Sequence, residues 1–304
     1  VLAIVLAIVV AVVAVFAVPW PWRTDAPPIH EPAGAFVASG PRDRAIVWAV
    51  GDGADGGPAG RAVGARIGAG RPDRLLYLGD VYAPRLLGWL RGDGTAADYR
   101  DRYAPIYGAL ADRTAPTPGN HEWPQRGSGY EPYWRGVAGR TPPAYYAFEV
   151  AGWQLLSLNS EAPHGAGSAQ ARWLASRVAA RAGTCRLAFW HRPRFSAGMH
   201  GDQPDVAPLF DALRGHAALV VTGHEHDMQR LRPVAGITQV VSGAGGHSRY
   251  GVHRDARLAF ADDRSDGALR IDLRPGGARL RFVSASGRVL DDSSVRCRQP
   301  RRTA

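Results

Sequence analysis

The sequence predicts an α/β fold built on mixed β-sheets. Three observations carry that prediction. Short apolar runs alternate with helical stretches in the first half of the chain, whereas alternating strands pair as hairpins towards its end. No repeat of constant period intervenes, so the chain is not a solenoid or array. Five strand ends carry Asp, Asn or His, and the end of a strand is where α/β folds place functional groups.

In chain order, the body opens with Ala45-Ile46-Val47-Trp48-Ala49-Val50, a strand ending in Gly51-Asp52-Gly53. Residues 58–70 read as a weak helix. Leu75-Leu76-Tyr77-Leu78 repeats the first pattern and ends in Gly79-Asp80-Val81-Tyr82. Residues 95–111 read as a helical stretch in which Tyr99, Tyr103 and Tyr107 recur at fourfold spacing, a packing pattern rather than a chemical one. Thr117-Pro118-Gly119-Asn120-His121-Glu122 is a polar turn. Residues 145–150 and 153–158 form a hairpin around Ala151-Gly152, closed by Asn159-Ser160. Residues 168–181 form a helix, with Ser168 as N-cap and Trp173, Leu174 and Val178 on one face. The strand at 187–190 ends in His191-Arg192-Pro193. A further apolar run, 217–221, leads into Thr222-Gly223-His224-Glu225-His226, where two imidazoles stand at one strand end. Residues 238–242, 269–273 and 279–285 are strands, the last two joined at Pro275-Gly276-Gly277. Gly243 to Gly246 is not a P-loop, because no helix N-terminus follows it.

Composition narrows the class. The chain has 304 residues, 45% hydrophobic and 21% charged, which is enough to bury a sizeable core. All 37 basic residues are Arg, and the net charge is +10. Such a surface favours anionic partners. No basic stripe with interleaved aromatics marks a nucleic-acid interface, so no specific nucleic acid is expected. Residues 1–18 are continuously apolar and uncharged, and Pro19-Trp20-Pro21-Trp22 ends them abruptly. They read as a signal peptide or an N-terminal membrane anchor. Residues 19–43 read as a Pro/Ala-rich linker, 44–297 as the folded domain and 298–304 as a basic tail. The chain is therefore expected to be exported, either secreted or held on the outer face of the cytoplasmic membrane. Its two cysteines, Cys185 and Cys297, are expected to pair there.

The polar strand ends make a coherent donor set. Carboxylates can bridge two metal ions, Asn offers a neutral oxygen, and His offers a nitrogen; the mixture suits Fe, Zn or Mn better than Ca or Mg. Together, Gly51-Asp52-Gly53, Gly79-Asp80, Gly119-Asn120-His121-Glu122, His191 and Gly223-His224-Glu225-His226 resemble the blocks of the calcineurin-like metallophosphoesterase superfamily, on its purple-acid-phosphatase side. The resemblance implies a four-layer α/β/β/α sandwich and a pair of metal ions. Asp80 would bridge both ions, Asp52 and His226 would complete one position, and Asn120, His191 and His224 the other. His121 would bind phosphate or protonate the leaving group. The sequence departs from purple acid phosphatases at the residue three after the bridging Asp. That position is Ala83, and Tyr82 stands one residue too early, which leaves it open whether Tyr82 ligates a metal. Arg192 and His200 are candidate substrate contacts, and Glu122 is read as orienting His121. His247 is a minor candidate, and Glu225 is expected to point away from the metals.

The expected activity is a hydrolase of small phosphoesters, most simply a phosphomonoesterase using hydroxide activated by two metals, with Asp80 and His121 at its centre. A phosphodiesterase acting on a cyclic nucleotide, nucleic acid or phospholipid head group is the alternative within the same chemistry. A membrane-anchored protein that binds metal and phosphate without turnover is the alternative outside it.

Overall fold

A computed structural model describes residues 27–84, 88, 92–181 and 183–297. The apolar segment at 1–18, the first part of the linker and the basic tail lie outside the described residues.

Six strands form one sheet and seven the other. In the first sheet, β1 (Ala45–Val50), β2 (Arg74–Tyr77) and β3 (Thr114–Pro116) run parallel. A meander of β11 (Gly267–Arg274), β12 (Gly277–Ser284) and β13 (Val289–Arg296) joins it by antiparallel pairing of β11 with β1. In the second sheet, β5 (Trp153–Ser157), β6 (Cys185–Phe189), β7 (Leu219–Thr222) and β9 (Thr238–Ser242) run parallel. Antiparallel β4 (Tyr146–Val150) flanks one side of them, and β8 (Met228–Leu231) with β10 (Leu258–Asp262) the other. Both sheets are mixed, as the sequence pattern predicts.

The main core lies between the sheets, where Val47, Leu76, Leu269 and Ile271 of the first meet Leu155, Leu187, Val221 and Val240 of the second. Helix α1 (Pro58–Ala69) buries Val63 and Ile67 against the first sheet. The expected 95–111 helix is broken into α2 (Ala96–Asp98), a π-helical turn at Tyr99–Tyr103, α3 (Ala104–Tyr107) and a 3₁₀ segment at Gly108–Arg113. Its three tyrosines are fully buried, and Tyr103 and Tyr107 pack on Tyr77 with ring centroids 4.8 and 5.3 Å apart. On the outer face of the second sheet, α5 (Ala169–Ala179) and α6 (Ala207–Ala212) cover Leu156, Ala188, Trp190 and Val220 with Leu174, Val178, Leu209 and Phe210. Ser168 caps α5, accepting the Ala171 amide at 3.1 Å. The layers are thus α/β/β/α.

A helix over Tyr130–Ala138, α4, was hidden by its internal Pro132 and Gly136. Strands β8, β10 and β13 lack a continuous apolar run and were equally hidden.

Cys185 and Cys297 are bonded. The bond joins the start of β6 in the second sheet to the residue just past β13 in the first. Residues 27–43, expected as a linker, lie along the body instead, because Phe36 and Val37 are buried and Phe36 packs edge-on against Tyr146 at 5.2 Å.

Candidate metal centre

Every parallel strand that carries a polar terminus delivers it to one edge of the sandwich. Asp52 follows β1, Asp80 follows β2, Asn120 follows β3, His191 follows β6, and His224 and His226 follow β7. Three of these six sit in the left-handed backbone region, with φ of 60° at Asp52, 67° at Asp80 and 70° at His224. Such a conformation costs a non-glycine residue about 1–3 kcal/mol, and clustered strain of this kind marks functional sites. Close approach explains two of the motif glycines. A Cβ on Gly223 would lie 2.7 Å from Asp52 Oδ2, and one on Gly119 would collide with Asp80 Oδ1.

The donors converge. One ligand atom each from Asp80, His191 and His224 falls within a 4.8 Å group, and all three residues are buried. His191 Nε2 lies 3.4 Å from Asp80 Oδ2, 3.1 Å from His224 Nδ1 and 3.0 Å from Asn120 Oδ1. At the same Asp80 oxygen, the Tyr82 hydroxyl lies 3.1 Å from Oδ2, and it lies 3.1 Å from His226 Nε2 and 3.4 Å from Asp52 Oδ1. His226 Nε2 is 3.6 Å from Asp52 Oδ1. Asp80 therefore faces two donor groups at once. The imidazoles are oriented from behind. His191 Nδ1 is 2.8 Å from the Leu78 carbonyl, so it donates there and turns Nε2 inward. His226 Nδ1 is 2.9 Å from Ser248 Oγ, which leaves its Nε2 facing Asp52.

The electrostatics fit a cation. Burial, then the neighbouring His191 and His200, pushes His224 down to about 2; burial and His247 push His226 down to about 3. Both are neutral imidazoles with lone pairs available. Burial, with Asp80 close by, raises Asp52 well above the carboxylate range, although His191 opposes it. Burial also works against the charge of Asp80, but His191 and His121 overcome it and hold that carboxyl far below its usual value. His191, disfavoured by burial yet drawn up by Asp80, reaches about 10. Here one buried carboxyl is driven toward its neutral acid and the other leans on a protonated imidazole, and that shortage of positive charge is what a metal ion would fill.

His121 stands at the rim with its side chain 38% exposed, and its amide donates to Asp80 Oδ1 at 3.1 Å. Its Nδ1 meets Asp93 Oδ2 at 2.5 Å. Burial opposes its charge, but the Asp93 bond and Asp80 lift its pKa to about 9. The residue that orients His121 is thus Asp93, not Glu122. Both oxygens of the Glu122 carboxylate lie within 3.1 Å of the Asp80 amide, which they accept, so Glu122 shapes the Asp80 turn. Glu225 does point away from the ligands. Its buried carboxylate accepts from the His200 amide at 3.0 Å and from Ser196 Oγ at 3.1 Å. His200 stacks on His224 at 4.3 Å, which brings it to the site. Arg192 is bonded to Glu161 through Nε at 3.0 Å. His247 is drawn in more closely than its sequence context implies, stacking on Tyr82 at 3.9 Å and meeting Asp55 at 3.1 Å. Tyr250, which stacks on His226 at 4.0 Å, and Asp93 carried no signal in the sequence, since both lie in loops without pattern.

These features define a class, and the comparison with known families states it. A calcineurin-like phosphoesterase model matches residues 44–228, and the chain belongs to that family. Tartrate-resistant acid phosphatase type 5 of Mus musculus is 29% identical over 149 residues, 45% of this chain and 45% of that protein. The chain therefore spans less than half the length of this curated relative. Among solved structures, the purple acid phosphatase PPD1 of yellow lupin superposes with a TM-score of 0.69 at 16% identity, covering 84% of this chain and 54% of that one. GAP50, the anchor in the inner membrane complex of Plasmodium, superposes with 0.68 at 13% identity, covering 86% and 91%. A dimetal phosphatase from Danio rerio gives 0.61 at 12%, covering 83% and 99%. At these identities the structural likeness is one of fold.

Proposed function

We propose that the chain is a metal-dependent hydrolase of phosphate monoesters. The observation that carries this reading is the buried convergence of Asp80, His191 and His224 on one point, with Asp80 shared by a second group of Asp52, His226 and Tyr82. Asn120, His191, His224 and Asp80 would hold one metal ion; Asp52, His226 and Asp80 would hold the other, with the Tyr82 phenol in reach of it. Bound there, Fe, Zn or Mn ions supply Lewis acidity to phosphoryl oxygens and make hydroxide available near neutral pH.

The chain's own residues supply the rest. His121, held protonated by Asp93, presents a proton at the rim for the departing alkoxide or a hydrogen bond for phosphate. His200, fixed by Glu225, stacks on His224 beside the site. A protonated His121 suits the dianion of a monoester better than the monoanion of a diester. The inter-sheet core keeps Asp52 and Asp80 dry, which strengthens each interaction made there.

The test is elemental analysis of protein purified without added metal, run beside hydrolysis of p-nitrophenyl phosphate and bis-p-nitrophenyl phosphate. The expected result is close to two metals per chain and faster turnover of the monoester. Asp80→Ala and His224→Ala are expected to abolish that turnover while the fold persists. Full activity in either variant would overturn the reading. A violet colour that Tyr82→Phe removes would identify the phenol as an iron ligand.

A further inference from the structure

We propose that residues 1–18 stay attached as a membrane anchor, that residues 27–43 hold the catalytic edge against that membrane, and that the monoester cleaved there is carried by a lipid. This deepens the hydrolase reading above and rests on it. The path of the chain carries the argument. Residues 27–43 form a strap whose course is fixed by backbone hydrogen bonds. The His30 carbonyl accepts the Ala144 amide at 2.7 Å, the Gly40 amide donates to Glu149 at 2.8 Å, and the Pro41 carbonyl accepts the Ala151 amide at 2.6 Å. The strap thus follows β4 from its Tyr146 end to its Val150 end. Tyr146 pairs with Ser157, at the end of β5, and β5 runs parallel to β6, whose end bears His191. The strap therefore begins at the catalytic edge and finishes at the opposite one, where β1 starts.

Its first described residue, Pro27, is clamped beside the turn that follows His121. The Arg126 guanidinium donates to the Pro27 carbonyl, and a Cβ on Gly127 would lie 2.8 Å from the Pro27 ring. Only the eight residues 19–26 separate Pro27 from the apolar stretch 1–18. Fully extended, they reach at most about 30 Å. A bilayer holding residues 1–18 must lie within that distance of the rim of the site.

The surface agrees with this orientation. Of the four large apolar side chains conspicuously exposed among the described residues, three lie at this edge: Ile29, Met199 and Val289. Met199 adjoins His200, Ile29 lies at the start of the strap, and Val289 pairs with Val283 at the same edge. The opposite edge instead carries a concavity of about 1000 Å³ bordered by Arg44, Arg270, Arg274, Arg279, Arg281 and Arg296. At the membrane-facing edge, hydrolysis breaks the phosphorus–oxygen bond of a lipid phosphomonoester. Phosphorus gains the hydroxyl of water, and the lipid alcohol leaves with the proton.

The test uses the full chain reconstituted in phosphatidylcholine vesicles with phosphatidate as the minor lipid. Met199→Cys and Arg274→Cys each carry a fluorophore, and nitroxide-labelled lipid is the quencher. Severalfold stronger quenching at position 199 than at 274 is expected; equal quenching, or the reverse order, overturns the proposal. Inserting about thirty Gly/Ser residues between Trp22 and Arg23 is expected to slow phosphate release from phosphatidate about tenfold, because effective concentration falls steeply with tether length. Turnover of soluble p-nitrophenyl phosphate should stay constant. An insertion that leaves phosphatidate hydrolysis unchanged overturns the lipid substrate. Loss of the hydrolase reading shows separately, as absent turnover of p-nitrophenyl phosphate, and the quenching contrast still decides the orientation.

Discussion

Asp93 gives His121 its charge. Its carboxylate also accepts the Ala83 amide at 2.8 Å, so one side chain fixes both the loop after Asp80 and the imidazole at the rim. Asp93→Asn keeps the shape and removes the charge. It is expected to lower kcat for p-nitrophenyl phosphate at least tenfold, as loss of a group serving general acid catalysis does. KM should change less, and an unaltered kcat would show that Asp93 serves the loop alone. Asp52, Asp80, His191 and the His224–His226 pair were legible in the sequence because each follows an apolar run, where a polar residue stands out; Asn120, after a polar turn, was legible only through the family pattern. Asp93, Ser248 and Tyr250 were not legible. They reach the site from irregular loops, and only the tertiary fold brings Asp93 to His121 or Tyr250 to His226. Glu122 misled for the opposite reason: adjacency in sequence put it beside His121, whereas its side chain turns to the Asp80 amide.

Among the elements, the helical stretch that bears Tyr99, Tyr103 and Tyr107 has a measurable pH signature. Burial raises all three phenols well above their usual value, and neighbouring tyrosines and acids add to the shift. Burial pushes Tyr133, which packs on Tyr99 at 4.8 Å, up to about 12. Their folded pKa values exceed the unfolded value near 10, so the folded state holds more protons above that pH. The stability these residues contribute is complete below about pH 10 and is lost as pH rises through their folded values. Thermal melts should therefore fall steeply on the alkaline side of about pH 10. The phenolate absorbance should appear together with loss of structure; phenolate formed without unfolding would contradict this. Strand β13 shows why some elements escaped the sequence reading. It is an edge strand with Asp291, Asp292, Ser293 and Ser294 at its centre, and its place comes from pairing with β12 rather than from apolar periodicity.

For the molecule as a whole, the mixed-sheet architecture followed from the order of strands, helices and late hairpins, while the joining of β11 to β1 did not, since no local pattern encodes a pairing across more than two hundred residues. The bond between Cys185 and Cys297 spans 112 residues of chain and ties the two sheets together. For loops of this length the chain-entropy account gives about 4–5 kcal/mol. Reduction is therefore expected to lower Tm by about 5–15 °C. Turnover at moderate temperature should persist, because the bond lies where β6 begins, whereas His191 stands where β6 ends. Scanning calorimetry with and without reductant checks both statements.

The pairing of β11 with β1 also sets how much chain makes one folding unit. The segment that matches the family ends at residue 228, yet β11, one of the two neighbours of β1 in its sheet, begins at Gly267. A polypeptide stopped at residue 228 would keep every candidate ligand and still leave β1 with a naked hydrogen-bonding edge, open to pairing with another copy. During synthesis, β1 must wait for nearly the entire chain before that edge is covered, so the candidate ligands are all made long before the scaffold that aligns them can close.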